Sequence, residues 1–138
     1  MTRVVYWDAS AVLSAIVKDR FTGEALREIR NGSTIHLASS LALAEAHAVI
    51  ARMVREGIIG RDAGRRARQA MADGPWRMTW CHPDTGLLAR LASRHPLRGA
   101  DLWHLATALR LAGWLPGLVL LAFDDRLRSA ALAEGLWK

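Results

Sequence analysis

The chain is short and basic: it has 138 residues, 19 basic and 13 acidic side chains, and a net charge of +6. Its length allows one domain, and 51% hydrophobic with 23% charged residues exclude a disordered or fibrous chain. The single cysteine excludes an internal disulfide framework and suits a reducing compartment. The surplus of positive charge, most of it arginine, is compatible with a polyanionic partner, although a GC-rich genome produces the same arginine skew.

Hydrophobic runs and helix stop signals divide the chain into alternating strands and helices. In chain order they predict a strand at 4–7, helices at 11–18 and 22–30, a strand at 35–38, helices at 41–56 and 61–72, a strand at 78–82, helices at 85–93 and 101–111, a strand at 118–123 and a helix at 124–134. This alternation is typical of βαβ crossovers. We therefore expect one α/β domain over residues 1–138, with helices on both faces of a mainly parallel sheet of four or five strands.

The chain contains no segment that resembles an export signal or a membrane span. The longest uncharged apolar run, 111–123, contains a proline and two glycines and is too short to cross a bilayer. A cytoplasmic location is therefore expected.

Four acidic residues stand out by their positions. Asp8 and Asp124 each follow a predicted strand directly, Asp101 opens a predicted helix, and Glu45 lies inside a mostly apolar helix. Helix capping alone could explain each aspartate, because Asp is a preferred N-cap residue. Capping does not explain Glu45, for which an ordinary ion pair with Arg52 is the alternative.

Carboxylates at the carboxyl ends of parallel strands converge on one edge of the sheet. Two ionised carboxylates about 5 Å apart repel by about 3 kcal/mol at an effective dielectric near 20, so a cluster needs protons or a cation. Oxygen ligands without a thiolate or histidine cluster favour Mg²⁺ or Mn²⁺. Zinc is disfavoured because Cys81 and His82 are adjacent rather than at ligand spacing.

Four segments resemble, in order and spacing, the PIN-domain nucleases, and most closely the VapC-type toxins of bacterial toxin–antitoxin systems. They are Y-W-D-A-S-A-V-L, S-S-L-A-L-A-E, G-A-D-L-W-H-L-A-T-A-L and F-D-D-R-L-R-S-A-A-L-A-E-G-L. The resemblance runs from residue 4 to the C-terminus. It implies a PIN-like fold and a catalytic, metal-binding acidic quartet at Asp8, Glu45, Asp101 and Asp124.

Two further positions follow from the same resemblance. Ser10 matches the family's hydroxyl two residues after the first aspartate, where it would assist at the metal site. The chain departs from the pattern at Ala122, where the family usually has Thr or Ser. Asp125, directly after Asp124, could substitute for it as the fourth acid.

The resemblance also implies a function and partners. It implies an endoribonuclease that uses Mg²⁺ or Mn²⁺ to activate a water against RNA phosphodiester bonds, with tRNA or rRNA as substrate. It further implies a toxin that forms a homodimer and is neutralised by a VapB-type antitoxin. The alternatives are a non-catalytic PIN-fold binding module and a PIN-like nuclease acting on other nucleic acid. A receiver-like phosphoacceptor domain is disfavoured, because Lys18 and Lys138 are badly placed for the lysine it needs.

Several other residues allow two interpretations. Arg61, Arg65 and Arg68 lie on one basic helix, which is either a solvated face or a contact for RNA phosphates. His104 lies three residues after Asp101, on the same helix face, as a metal ligand or as a hydrogen-bonded helix histidine. Two tryptophans near the basic helix, at 76 and 80, could stack bases or line an antitoxin groove, but core or dimer packing is the ordinary explanation.

Overall fold

The computed structural model describes residues 2–137. The strands are β1 (Arg3–Trp7), β2 (Thr34–Ser39), β3 (Trp76–Thr79) and β4 (Val119–Leu121). The helices are α1 (Ala9–Ile16), α2 (Thr22–Arg30), α3 (Ser40–Arg55), α4 (Arg61–Asp73), α5 (Thr85–Arg94), α6 (Gly99–Ala112) and α7 (Asp125–Ala133). Within residues 2–137, no helix has the length and apolar character that crossing a membrane requires.

All four strands form one parallel sheet, in the order β3–β2–β1–β4. The central strand β1 is buried on both faces, so its side chains alternate between two hydrophobic clusters. Tyr6 packs with residues of α5, α6 and α7, whereas Val5 and Trp7 pack with residues of α1 to α4. The expected α/β/α architecture around a parallel sheet is therefore confirmed, with four strands.

The third strand lies earlier than the sequence predicts. It was expected at 78–82, but β3 begins at Trp76, because it pairs with β2 from His36 to Ser39 and β2 ends there. Gly74 permits this early start, since a Cβ at that position would collide with the ring of Trp76. Strand pairing, which is not visible in the local sequence, sets this boundary.

The sixth helix also begins earlier than predicted. Its first residue is Gly99 rather than Asp101, and Arg98 occupies the N-cap position without a side-chain capping bond. Asp101 therefore lies within the first turn and does not cap the helix. Capping, which could have explained this aspartate, is wrong for Asp101.

Candidate active site

The strand order reverses beside the ends of β1 and β4. From β1 the chain winds outward through β2 to β3, and it then returns to place β4 on the other side of β1. In open parallel sheets, ligands bind outside the carboxyl ends of the strands at such a reversal of strand order. Asp8 directly follows β1, and two residues separate Asp124 from the end of β4. Both aspartates therefore lie at this reversal.

Asp8 is the most firmly held of the acids. Its backbone N–H donates to the carbonyl of Leu121, which joins the ends of β1 and β4 (3.2 Å). Its Oδ1 accepts the N–H of Ala11 (2.9 Å), as the N-cap of α1, and the hydroxyl of Ser10 (2.7 Å). The Ser10 hydroxyl in turn accepts the N–H of Phe123 (3.0 Å). Ser10 thus connects the segments that follow β1 and β4.

The residue Asp8 is only 3% exposed. Burial raises its pKa to about 6, against the opposing effect of the hydrogen bonds from Ala11 and Ser10. The nearby carboxylate of Asp101 raises it further, whereas His104 lowers it. Asp8 is therefore a capping residue whose ionised form is poorly compensated by its surroundings.

Asp101 and Asp124 line one cavity of about 260 Å³, together with Arg98 and Arg126. Burial and the carboxylate of Asp124 raise the pKa of Asp101, and Glu45 also raises it. Asp124 is exposed and caps α7, with its Oδ1 accepting the N–H of Leu127 (3.0 Å). Three further acids thus lie within electrostatic reach of Asp101.

Glu45 projects from α3 toward a buried histidine of α6. Its Oε1 lies 2.8 Å from Nε2 of His104, and Nδ1 of His104 lies 3.1 Å from the hydroxyl of Tyr6. The His104 side chain is 1% exposed and that of Glu45 is 33% exposed. Among residues 2–137, Glu45 has no ion pair with Arg52, so the alternative of a simple salt bridge to that arginine is wrong. The structure favours the hydrogen-bonded interpretation of His104.

The alternative fourth acid lies elsewhere. Asp125 lines a separate cavity with His95 and Pro96, whereas its neighbour Asp124 lines the cavity of Asp101. The geometry therefore favours Asp124 over Asp125 in the predicted quartet. Ala122, the departure from the family pattern, is fully buried and has no hydroxyl to offer the site.

Comparison with known proteins identifies the family to which this fold belongs. The family model described as PIN domain matches residues 5–132. The chain belongs to the PIN domain family. Two curated relatives, Ribonuclease VapC45 and Ribonuclease VapC49 of two Mycobacterium tuberculosis strains, are each 33% identical to this PIN domain over 141 residues. The match covers 96% of this chain and 92% of each relative, so this PIN domain belongs to the VapC group.

Solved structures share the fold of this PIN domain. PAE2754 of Pyrobaculum aerophilum has a TM-score of 0.62 at 20% identity, over 94% of this chain and 86% of that one. M. tuberculosis VapC20, described as a sarcin-ricin loop cleaving toxin, has a TM-score of 0.58 at 19% identity, over 91% and 94%. VapBC2 of Rickettsia felis, bound to a promoter DNA fragment, has a TM-score of 0.51 at 15% identity, over 88% and 99%.

The donor chemistry of this PIN domain fits a hard divalent cation. Its clustered groups are carboxylates, and burial and mutual repulsion raise the pKa of both Asp8 and Asp101. Within residues 2–137, however, no three His, Cys, Asp or Glu side chains are arranged to enclose a metal ion as they stand. Hydrogen bonds hold Asp8 and Asp124 as helix caps, and His104 holds Glu45, so the case for a cation rests on the chemistry of these oxygen donors.

The sequence did not single out the two arginines nearest the acids of this PIN domain. Arg98 and Arg126 line the cavity of Asp101 and Asp124, and neither makes an ion pair within the part of the chain that the structure describes. Arg98 precedes α6 and Arg126 lies in the first turn of α7. The available signal was their spacing, since each lies within three residues of a site acid.

The basic helix predicted to contact RNA lies outside that cavity. Arg65 of α4 pairs with Asp62 on the surface (2.6 Å), and neither Arg61 nor Arg68 lines the cavity of the acids. The helix faces α1, and Arg66 and Lys18 lie at a separate cavity of about 500 Å³ between these two helices. A contact of α4 with RNA stays a prediction.

The two tryptophans near the basic helix have different environments. Trp76 packs edge-on against the buried ring of Trp7, with the ring centroids 5.4 Å apart, and is a core residue. Trp80 is 81% exposed and offers its ring to solvent. Of the two, Trp80 is the side chain with a face free for stacking.

Proposed function

We propose that this chain is a divalent-cation-dependent endoribonuclease that acts as the toxin of a VapBC pair. Its membership of the PIN domain family and its VapC relatives, which carry the name ribonuclease, support a nuclease. Its sheet topology supports a ligand site beside Asp8 and Asp124, since parallel sheets bind ligands at a reversal of strand order. The cation and the mechanism are inferred from the site itself.

One observation carries the proposal: Asp8 and Asp101, the two acids whose pKa burial raises, have no ion pair with a lysine or arginine in the part of the chain that the structure describes, although the charge of Arg98 partly offsets the rise at Asp101. Asp8 is 3% exposed with a pKa raised to about 6, and Asp101 has its pKa raised by burial and by Asp124. Within residues 2–137, neither has a lysine or arginine partner in an ion pair. A purely structural site would gain by losing such charges, whereas a cation-binding site requires them.

We assign the four acids a shared role. Asp8 and Asp101, whose pKa values burial raises, would be the inner ligands, and Glu45 and Asp124 would complete the set. Mg²⁺ or Mn²⁺, when bound, supplies the polarisation of a water and offsets the charge that develops on the phosphoryl oxygens. Ser10 holds Asp8 in its orientation through the hydroxyl bond to Oδ1.

Two arginines extend the site toward a polyanion. Arg98 and Arg126 flank the acids in the same cavity and carry charge that is free for phosphate groups. They would bind the backbone on either side of the bond that is cut, which gives affinity without sequence choice. The substrate we infer is a structured RNA such as tRNA or rRNA, and the sarcin-ricin loop cleavage named for VapC20 is a precedent.

The partner we infer is a VapB-type antitoxin, as in the VapBC2 pair of Rickettsia felis. A positively charged side chain of the antitoxin, placed among Asp8, Asp101 and Asp124, would compensate the carboxylate charges in place of the metal ion. A homodimer also stays part of the proposal, to be checked by sedimentation of the isolated chain.

The proposal is tested by RNA cleavage with the isolated chain. The chain, purified free of antitoxin, is incubated with total RNA in Mn²⁺, Mg²⁺ or EDTA, and the new RNA ends are mapped. Discrete cleavage is expected with either ion, and none in EDTA or with Asp101→Asn. RNA that binds but stays intact in all conditions would favour the non-catalytic binding module, and cleavage of DNA alone would favour a PIN-like nuclease for other nucleic acid.

A further inference from the structure

The carboxylate of Glu45 is held by one of its two oxygens. Oε1 lies 2.8 Å from Nε2 of His104, and Oε2 accepts no hydrogen bond from residues 2–137. A glutamate on a helix surface ordinarily samples many rotamers, and fixing one of them costs conformational entropy. Here the buried imidazole selects one orientation, which leaves Oε2 available to a ligand.

The two ring nitrogens of His104 have different partners. Nδ1 lies 3.1 Å from the hydroxyl of Tyr6, a fully buried side chain. The contact with Glu45 requires a proton on Nε2, because a bare nitrogen lone pair 2.8 Å from a carboxylate oxygen would be repelled. In the neutral imidazole, Nδ1 is then the acceptor for the Tyr6 hydroxyl. Glu45 thus selects the tautomer, and the Tyr6 hydroxyl, which can donate or accept, is compatible with it.

These contacts connect the core of the sheet to the site across a large distance in sequence. Tyr6 lies in the central strand, His104 in α6 and Glu45 in α3, so three elements must pack correctly for the carboxylate to be oriented. The ring of Trp103 also packs nearly perpendicular to the imidazole of His104, with the ring centroids 5.4 Å apart, and limits rotation of the imidazole. Histidines that orient a ligand through one nitrogen are commonly held at the other.

We propose that His104 is a positioning residue for the metal site, which orients Glu45 by a hydrogen bond from Nε2–H to Oε1. His104 acts through Glu45 and does not itself contact the cation or the RNA. This inference rests on the proposed function of the acids. Removing partners of this kind costs roughly 10- to 100-fold in metal affinity.

The test uses two replacements that separate the two nitrogens. The amide nitrogen of Gln can take the place of Nε2 and donate to Glu45, whereas the shorter Asn reaches only the position of Nδ1. In the antitoxin-free chain, the affinity for Mn²⁺, measured from the EPR signal of the free ion, should fall roughly 10- to 100-fold for His104→Asn. His104→Gln should restore most of it. Equal affinities of the two variants would overturn the proposal.

A matched control exists on the other side of the sheet. His36 is also buried, 4% exposed, and its Nδ1 accepts the indole N–H of Trp7 (3.0 Å). His36→Asn keeps an acceptor for Trp7 and lies outside the proposed site, so it should leave the Mn²⁺ affinity unchanged even where it lowers thermal stability. A loss equal to that of His104→Asn would mean that general loosening of the core explains both.

Two further measurements separate this inference from the proposed function. In a Glu45→Ala background, His104→Asn should cause no additional loss of Mn²⁺ affinity, because its only route to the ion is gone. In the wild-type chain, ¹⁵N shifts of the His104 ring should show a proton on Nε2. A bare Nε2 would overturn the inference alone. A wild-type chain that neither binds Mn²⁺ nor cuts RNA would overturn both.

Discussion

Replacing Asp8 by Asn should stabilise the metal-free protein at neutral pH. Burial raises the pKa of Asp8 from its ordinary value of 3.8 to about 6. Since a tenfold change in a protonation equilibrium is about 1.4 kcal/mol, the ionised carboxylate costs the folded state about 3 kcal/mol. Asn keeps Oδ1 as acceptor for Ala11 and Ser10, but its amide brings buried donors that cost about 1 kcal/mol. The expected gain in unfolding free energy is about 2 kcal/mol.

The pH dependence of this difference has a definite sign. Because the folded pKa of Asp8 lies above the unfolded one, the folded state binds the proton more tightly between about pH 4 and 6. The cost of the ionised form is therefore fully present above pH 6 and is relieved as the pH falls toward 4. The advantage of Asp8→Asn should accordingly shrink with acidification and vanish near about pH 4.5.

Urea unfolding in EDTA, followed by tryptophan fluorescence, measures both quantities. The control is Asp84→Asn. Asp84 also caps a helix, with its Oδ1 accepting the N–H of Gly86 (2.7 Å), but it is exposed and lines a different cavity from Asp101 and Asp124. It should change stability by less than about 0.5 kcal/mol. An Asp8→Asn protein that is less stable than wild type at neutral pH would refute the reasoning and would leave Asp8 as a helix cap alone.

Three other outcomes are expected. Mn²⁺ should raise the melting temperature of the wild type more than that of Asp101→Asn, and an equal rise in both would contradict binding by the acids. Asp124→Asn should abolish RNA cleavage while Asp125→Asn retains it, because only Asp124 lines the cavity of Asp101; the reverse result would move the fourth acid. Replacing Arg98 and Arg126 together by Ala should weaken RNA binding and reduce the slope of log affinity against log salt concentration by roughly two. Replacing Arg65 and Arg68 by Ala should have a smaller effect on both quantities, and an equal effect would contradict the assignment of the cavity arginines as the principal contacts.

The parts of the site that were predictable lie at the ends of strands. Asp8 and Asp124 follow runs of apolar residues that the local pattern identifies as strands, and the rule for parallel sheets then places them at one edge. The order of the strands, which brings β4 beside β1, depends on packing among distant segments. It is nevertheless what makes Asp8 and Asp124 members of one site.

The parts that were not predictable depend on contacts between distant residues. The partner of Glu45 is His104, 59 positions along the chain, and the pattern within α3 pointed only to Arg52. Arg98 and Arg126 belong to the site because the first turns of α6 and α7 face one cavity, which no spacing in either segment reveals. The early start of α6, which places Asp101 inside the first turn, likewise follows from tertiary packing.

The most direct test of the central claim is the chemistry of the cut itself. If the acids hold a cation that activates water, cleavage does not need the 2′-hydroxyl of the RNA. The test uses a synthetic RNA that spans a mapped site and carries a single 2′-deoxy substitution in the nucleotide on the 5′ side of the scissile phosphate. This RNA should still be cleaved in Mn²⁺ and remain intact in EDTA. Loss of cleavage on 2′-deoxy substitution, 2′,3′-cyclic phosphate ends, or undiminished cleavage in EDTA would contradict the account.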